Sequence, residues 1–491
     1  MSSKPNTDTA EIPLAAGEFR VIVVGAGIAG LTASHCLQKA GIKHVVLERR
    51  TEVDPPEGAS FAIYPHGARI LHQLGCLEAV EAACKPCLRY YSRGPNGRTQ
   101  SDNGFFNHVK HNHGYDILLL ERRRLLRILY DCLPDKSPIR TGSDVKKVTQ
   151  TADGVEVVLG DGSSEKGHII LGCDGVYSRV RNFMWENAKI LNPSSVIDAE
   201  KKRIQTHWKC LVGTGPPEAG LGERDMTSTS DRRFSFLALT QPDRAFWFVF
   251  FKLDKPVVWP QRVSYDENNA EELAQSLADH PVSETVNFGR LWRRRHRGVL
   301  IPLQEGILEH WYSGRVVLAG DAVHKMTPNI GLGGNTAIES VAVLCNHLIQ
   351  TLQVAADQQK IMQPPTQEAL ERCFLAYQTE HRSRVEEVVR FSRLITRIQA
   401  WDSFPMRCLA EWIMPVLPDR ALAKIVSRVV RAAPKLNYVA IDQVPSGAVE
   451  WMDARPTQTT QWILWLSLAV SVIFVVSWMN FGGSSRVSEL R

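Results

Sequence analysis

The pattern of apolar and polar positions predicts the elements before any motif is considered. Residues 20–24, RVIVV, are an apolar run too short for a helix and rich in β-branched residues, so a buried strand is expected. Glycines at 25, 27 and 30 follow, then a helical pattern to Lys39, then HVVLE at 44–48 as a second strand. That is a strand–helix–strand unit of about thirty residues. Residues 116–120 predict a strand, and 122–132 a helix with Leu125 and Leu129 on its inner face. Residues 155–159 and 168–172, with Asp161-Gly162 between them, predict a hairpin or meander pair.

Between about 198 and 300 the pattern changes. Residues 234–240 and 245–253 predict two strands joined by a Gln-Pro-Asp-Arg turn. The second strand carries Phe246, Phe248 and Phe250 on one face and Trp247, Val249 and Phe251 on the other. One greasy face covers a core; the other either packs likewise or lines a pocket. Strand-into-turn character like that of residues 20–30 returns at RVVLAGDA, residues 315–322, and a helix is expected to begin within 335–340. Long helices are expected from 366 to 401. At 419–433 the apolar Leu422, Ile425, Val426, Val429 and Val430 oppose Lys424, Arg428 and Arg431. Such a basic amphipathic helix either lies on an anionic membrane surface or docks on its own domain. Residues 462–479 contain no charge; as a helix they reach about 27 Å, enough to span a membrane. Trp462, Trp465 and Trp478 sit near the edges of that stretch, where aromatic belts sit.

The 491 residues allow two or three domains. A net charge of +6 is too mild to indicate nucleic acid. Cys84 and Cys87 form one C-x-x-C without a second pair at zinc spacing, which reads as two buried thiols, with a redox or metal role as the alternative. All ten cysteines are read as reduced, so the main domain should face the cytosol. Residues 1–17 lack an apolar core and read as a disordered leader.

Four stretches carry candidate chemistry. In Gly25-Ala26-Gly27-Ile28-Ala29-Gly30, Gly25 permits the turn, Gly27 a close approach to a pyrophosphate, and Gly30 tight helix–strand packing. Phosphates would sit at the helix N-terminus, and Glu48 is placed for a ribose hydroxyl. This motif does not separate NAD from FAD. Arg122, Arg123 and Arg124 occupy a helix's first turn, where cations oppose the dipole; a nearby anion accounts for one of them, a solvated face for the other two. CDGVYSRVR, residues 173–181, is a strand–turn–helix with Ser178 as a cap. The fourth, GDAVHKMTPNIGLGGN, places Asp321, Pro328, Gly331, Gly333, Gly334 and Asn335 before a helix start, a density of glycine that favours a ligand.

These stretches, in this order and over about residues 19–401, resemble the single-component FAD-dependent aromatic hydroxylase and epoxidase superfamily. The R-x-x-L-x-x-x-L helix of Arg122, Leu125 and Leu129 belongs to the match. Residues 306–340 look like fungal paxilline-type epoxidases of indole-diterpene and meroterpenoid pathways. The resemblance implies an α/β fold: a Rossmann-like FAD-binding domain of the p-hydroxybenzoate-hydroxylase kind, an inserted β-rich substrate domain, C-terminal helices and one transmembrane helix. The boundaries are a leader at 1–17, an FAD domain at 18–197 and 301–401, and a substrate domain at 198–300. C-terminal helices at 402–460, on the membrane surface or docked, then lead to a span at 461–481 and a tail at 482–491.

It also implies roles. Gly25, Gly27, Gly30 and Glu48 would hold the ADP half of FAD. Asp321 would bind the ribityl–phosphate region, Gly334 would place a backbone N–H at the isoalloxazine, and Gly333 and Asn335 would also bind the cofactor. Ala62, in GASFAIYPHG, would line the cofactor through its backbone, Arg122 matches the family arginine, and Asp174 and Gly175 the turn serving FAD and NADPH together. NADPH and O2 would be co-substrates, and no catalytic side chain is named, since the flavin carries the chemistry. The expected reaction is epoxidation of a prenyl alkene before a terpene cyclase acts; the alternative is hydroxylation of a phenol, as in salicylate hydroxylases. A flavin-bound membrane scaffold without activity is the third reading. Arg203, His207, Trp208 and Arg233 are candidates to orient a substrate head group, each more simply a surface or core residue. The expected partners are a lipophilic substrate, the endoplasmic-reticulum membrane through the C-terminal helix, and a membrane terpene cyclase.

Overall fold

The apolar run RVIVV folds as the strand Arg20–Val24, and its neighbours give it the burial its composition demands. In the computed structural model, which describes residues 19–452 except 57, 59, 152, 192–196, 260, 359–363, 442 and 444, it lies inside a six-stranded sheet. The order is Tyr312–Ser313, Val316–Leu318, Ile169–Gly172, Arg20–Val24, Lys43–Leu47, Ile139–Arg140, parallel except for the first pair. The helices Ile28–Lys39 and Gly333–Gln358 pack together, and the helix Gln367–Gln399 packs on the second of them. Parallel strands covered by helices read as continuous apolar runs.

The stretch 155–172 differs from its predicted pairing. Val155–Leu159 pairs with Ser164–Gly167 across a turn where Gly162 has φ +86°, and with Val145–Gln150 on its other side. Ile169–Gly172 leaves that small sheet and joins the parallel one beside Arg20–Val24. Ile169, Ile170 and Leu171 are all buried, and only a central strand covers three consecutive apolar residues on both faces.

The β-rich region is an eight-stranded sheet: His324–Lys325, Arg297–Ile307, Gln205–Gly215, Arg244–Val258, Phe234–Gln241, Asp225–Asp231, Arg89–Arg93, Thr99–Asn103. It reaches beyond residues 198–300 at both edges, because Arg89–Arg93 pairs in parallel with Asp225–Thr229. The predicted hairpin is present, with Gln241 opposite Arg244. Alternation along Arg244–Val258 splits its side chains between two cores: Phe246, Phe248 and Phe250 face the main one, while Trp247 and Val249 pack with Phe288, Leu291 and Trp292 in a second.

The basic helix folds as Asp419–Arg431 and is docked. The Asp419 carboxylate accepts from the Gly104 N–H at 2.9 Å, Asn112 Nδ2 donates to Ser427 Oγ at 2.9 Å, and Ala423, Val429 and Val430 are buried. Its apolar face therefore covers the protein's own core, not a membrane. Among the described residues no helix is long and apolar enough to cross a membrane. The leader at 1–17 and the expected span and tail at 461–491 lie outside the described residues.

Candidate functional site

The first glycine turn is fixed by close packing. Gly25 has φ +99°, and a β-carbon there would stand 2.8 Å from the Cys173 carbonyl oxygen. At Gly30 it would lie 1.8 Å from the Gly25 carbonyl oxygen. These two glycines let strand, turn and helix close on one another and on the Cys173-Asp174-Gly175 turn. Glu48 is buried: one carboxylate oxygen accepts from the Ala26 N–H at 2.8 Å, the other from the Arg50 N–H at 2.9 Å. Glu48 thus holds the loop, and each oxygen keeps a lone pair for a ribose hydroxyl.

Tertiary contacts then bring the second loop, about 300 residues away in the chain, to the first. A β-carbon on Gly320, where φ is +62°, would meet those of Ala337 and Ala29 at 3.0 and 3.4 Å. The buried Arg181, from the CDGVYSRVR stretch, donates to the Ala322 carbonyl at 2.9 Å and to that of Val176 at 2.8 Å. Asn335 Oδ1 accepts from the Tyr64 N–H at 3.1 Å, and its Nδ2 donates to the carbonyls of Ala62 at 2.8 Å and Gly331 at 2.9 Å. The Gly334 Cα packs on the Phe61 ring, where a β-carbon would clash at 1.9 Å.

The outcome is one open cleft, about 1160 Å³ when the solvent at its mouth is counted. Of the sequence-predicted residues, Gly27, Ala62, Arg122, Gly175, Asp321, Gly333 and Gly334 line it. Gly25, Gly30 and Glu48 stand behind it and shape it. Asn335 is fully buried and clamps the loop to the strand Ser60–Ile63. Asp174 lies outside the lining and caps the helix Arg179–Leu191, accepting from the N–H groups of Arg179 at 2.6 Å and Val180 at 3.1 Å, while Ser178 Oγ accepts from Arg181 N–H at 2.9 Å. Only the first of the three arginines faces the cleft: Arg123 and Arg127 pair with Asp54 at 3.3 and 2.7 Å, and Arg124 is exposed.

The cleft fits a dinucleotide. A β-carbon on Gly27 or Gly333 would meet nothing nearer than 4.0 and 3.7 Å, and on Gly175 nothing within 4 Å. The glycines therefore leave room beside two helix N-termini, Ile28–Lys39 and Gly333–Gln358, whose first N–H groups lack helical partners and favour anions.

The charges beneath are arranged around that room. Asp321 pairs with Lys325, four residues on in the strand His324–Lys325. Burial raises the Asp321 carboxyl, but Lys325 outweighs it, and the net shift is down. Lys325 is a cleft residue that sequence reasoning missed; its spacing from Asp321 was the available signal. Deeper, Glu339 and Arg384 form a fully buried bidentate pair at 3.0 and 3.1 Å, with His66 Nε2 3.4 Å from the carboxylate. Burial pushes the Glu339 carboxyl up and Arg384 outweighs it, leaving it at about 2. Burial lowers His66 and His324 to about 4, so both are neutral at neutral pH.

At the other end the walls are mostly apolar: Met226, Leu237, Leu239 and Phe248 from the large sheet, Met326, Pro328 and Ile330 from the loop, with Asn329 the polar residue among them. The head-group candidates are elsewhere. Arg203 pairs with Glu309, and it lines a separate polar cavity with His207, Glu305, Arg393 and Arg397. Trp208 is fully buried, and Arg233 pairs with Asp254 at 2.6 Å. Cys84 and Cys87 are buried thiols that burial raises to about 11 and about 12. All ten cysteines are unpaired.

Residues 18–392 match the family described as FAD binding domain. The chain is 40% identical over 437 residues to the FAD-dependent monooxygenase DEP2 of Alternaria brassicicola, covering 89% of this chain and 82% of that protein. It is 33% identical to the FAD-dependent monooxygenase atmM of Aspergillus flavus over 92% of this chain and 93% of that one. Among solved structures, Klebsiella pneumoniae HpxO complexed with FAD and uric acid superposes with a TM-score of 0.66 at 21% identity, covering 85% and 97% of the two chains. The tetracycline destructase Tet(51) superposes with a TM-score of 0.61 at 19% identity, covering 84% and 98%. At these identities the structures share the fold.

Proposed function

The chain belongs to the FAD-binding-domain family and is an FAD-dependent monooxygenase, and from that premise we propose that it epoxidises a prenyl alkene of a meroterpenoid- or indole-diterpene-type intermediate, using NADPH and O2, ahead of cyclisation by a terpene cyclase. One observation carries the reading. The cleft is polar and glycine-built at one end and apolar at the other, and its charged lining residues, Arg122, Asp321 and Lys325, belong to the polar end.

FAD, once bound and reduced by NADPH, supplies an electrophilic oxygen atom from O2. The protein's share is binding, orientation and dryness. Gly27 and the helix start behind it would receive the pyrophosphate, with the Arg122 guanidinium beside Gly27. Glu48, behind the wall, would take the adenosine ribose on the lone pairs that the Ala26 and Arg50 N–H groups leave. Asp321, kept ionised by Lys325, accepts from the ribityl hydroxyls. The helix beginning at Gly333 aims its first N–H groups at the flavin and favours negative charge there. Met226, Leu237, Leu239 and Phe248 hold the alkene and exclude water, which protects activated oxygen from release as hydrogen peroxide. Attack on an alkene requires no side-chain base, and the apolar wall offers none.

The proposal extends to location: residues 461–481 anchor the chain in the endoplasmic-reticulum membrane with the catalytic part on the cytosolic side, beside the cyclase that takes the epoxide. Purified holoprotein, given NADPH and a farnesyl-substituted phenol, is expected to oxidise NADPH faster and to return a product with one added oxygen on the chain. The reading is overturned if farnesylated compounds release only hydrogen peroxide while an unprenylated phenolic acid is hydroxylated in step with NADPH use.

A further inference from the structure

Seven large apolar side chains are exposed among the described residues, and three of them fall between residues 404 and 416. Phe404 is 75% exposed, Trp412 59% and Val416 75%. They project from near-continuous helical turns: Phe404–Cys408, the wider turn Leu409–Ile413, and Met414–Val416. Cys408, Leu409 and Ala410 are buried, so the segment is anchored from beneath while its outer side stays uncovered. An isolated exposed leucine needs no explanation; two aromatic or β-branched residues and a tryptophan grouped on one segment do.

Charge along this part of the chain is one-sided, and the acids of neighbouring strands are paired, Asp102 with Arg89 and Asp231 with His280. Residues 403–431 contain Arg407, Arg420, Lys424, Arg428 and Arg431 against Glu411 and Asp419. Both acids are committed: Glu411 accepts from Arg407 at 2.9 Å, and Asp419 from the Gly104 N–H. Arg420 and Lys424 are exposed on the docked helix that follows. Apolar side chains beside excess cations match a surface with an apolar interior and an anionic face. Further along, residues 462–479 of the same chain carry no charge.

The segment is also joined to the cleft. Asn329, a lining residue, donates from Nδ2 to Gln399 Oε1 at 2.9 Å, and Gln399 ends the helix that leads into it. Phe404 follows five residues later, at most about 18 Å away along the chain.

We propose that Phe404, Trp412 and Val416, with Arg420 and Lys424, form a docking patch for an anionic phospholipid bilayer, seating the apolar end of the cleft near the lipid from which a lipophilic substrate arrives. The patch is separate from the C-terminal apolar stretch and does not depend on the epoxidation reading.

The test is peptide-resolved amide hydrogen exchange on the full-length holoprotein. It is measured on vesicles of phosphatidylcholine with about 30% phosphatidylserine, on phosphatidylcholine alone, and in detergent. Exchange in the peptide covering 403–417 is expected to slow about tenfold on the anionic vesicles and less on neutral ones. In the Phe404→Ser/Trp412→Ser/Val416→Ser variant that protection should vanish, while exchange in the parallel sheet and the flavin content stay as in the parent. These side chains are exposed, so the variant is expected to fold. Equal exchange with and without anionic lipid overturns the proposal. So does protection in detergent that grows with protein concentration, which would identify a second copy as the occupant, or protection independent of lipid and concentration, which would identify the chain's own C-terminal part.

Discussion

The two ends of the cleft are built by opposite means. At the cofactor end the surface is backbone: Gly25, Gly30, Gly320 and Gly334 sit where a β-carbon would meet other atoms at 1.8 to 3.0 Å, and Arg181, Glu48 and Asn335 tie loop to loop. At the substrate end the surface is side chain: Met226, Leu237, Leu239 and Phe248 present apolar groups from alternate positions of a sheet. A backbone surface tolerates almost no change, since any added atom displaces a chain. A side-chain surface can change its shape while the sheet beneath persists. One scaffold therefore holds an unvarying cofactor beside a pocket that is free to differ.

The largest effect that would break this contrast is at Gly30. Gly30→Ala puts a methyl against the Gly25 carbonyl and should reduce flavin content of the purified protein to a trace, with about 3 kcal/mol of lost stability. Gly27→Ala, with open space around it, should keep the fold and lose flavin alone. If Gly30→Ala remains fully yellow and stable, the backbone account of this end fails.

Next comes the buried pair beneath the loop. Arg384→Met leaves Glu339 charged and without its partner in the interior, at a cost of about 3–5 kcal/mol in chemical denaturation. A loss under about 1 kcal/mol would show that the pair is not sealed from water.

Acid should act on the same region more gradually. Burial holds His66, His113 and His324 at about 4, whereas an unfolded chain protonates them near about 6.5. Their stabilisation is complete above about pH 6.5 and falls as pH drops toward 4, because the unfolded state takes up protons first. Urea midpoints should decline over that window, by up to roughly 3 kcal/mol per imidazole. His66→Gln should flatten part of the decline, and an unchanged slope would remove His66 from the account.

The smallest expected effect is at the substrate end. Phe248→Leu should leave flavin content and melting nearly unchanged, yet lower kcat/KM for a prenylated substrate by about 1–3 kcal/mol with more NADPH lost to hydrogen peroxide. An equal loss of flavin would mean that the two ends are not independent.

The sequence made some of this legible and hid the rest for physical reasons. The strand Arg20–Val24, the helix after it and the alternation of Arg244–Val258 are local patterns, and they folded as read. Gly25 and Gly30 were legible because a tight turn and a close crossing leave glycine alone. Pairing was less legible: Ile169–Gly172 left its expected hairpin because its partners, Arg20–Val24 and Val316–Leu318, lie far along the chain. That the Asn335 side-chain amide is consumed by Tyr64, Ala62 and Gly331 was not legible, since two of those partners lie about 270 residues away. Glu339 and Arg384 carry no sequence signal as a pair, since they come from different helices.

By itself the sequence determined the kinds of surface available: which turns accept only glycine, which strands are buried on both faces, which helix starts can receive an anion. Those follow from side-chain size, backbone conformation and apolar periodicity, all properties of a few adjacent residues. Tertiary structure decided that the turn at Gly25 and the loop at Asp321 face one cleft, that Arg122 alone of three arginines enters it, and that Lys325 neutralises Asp321 there. The first depends on closing a loop of about 300 residues, the other two on how neighbouring elements pack around that loop, and local composition encodes neither.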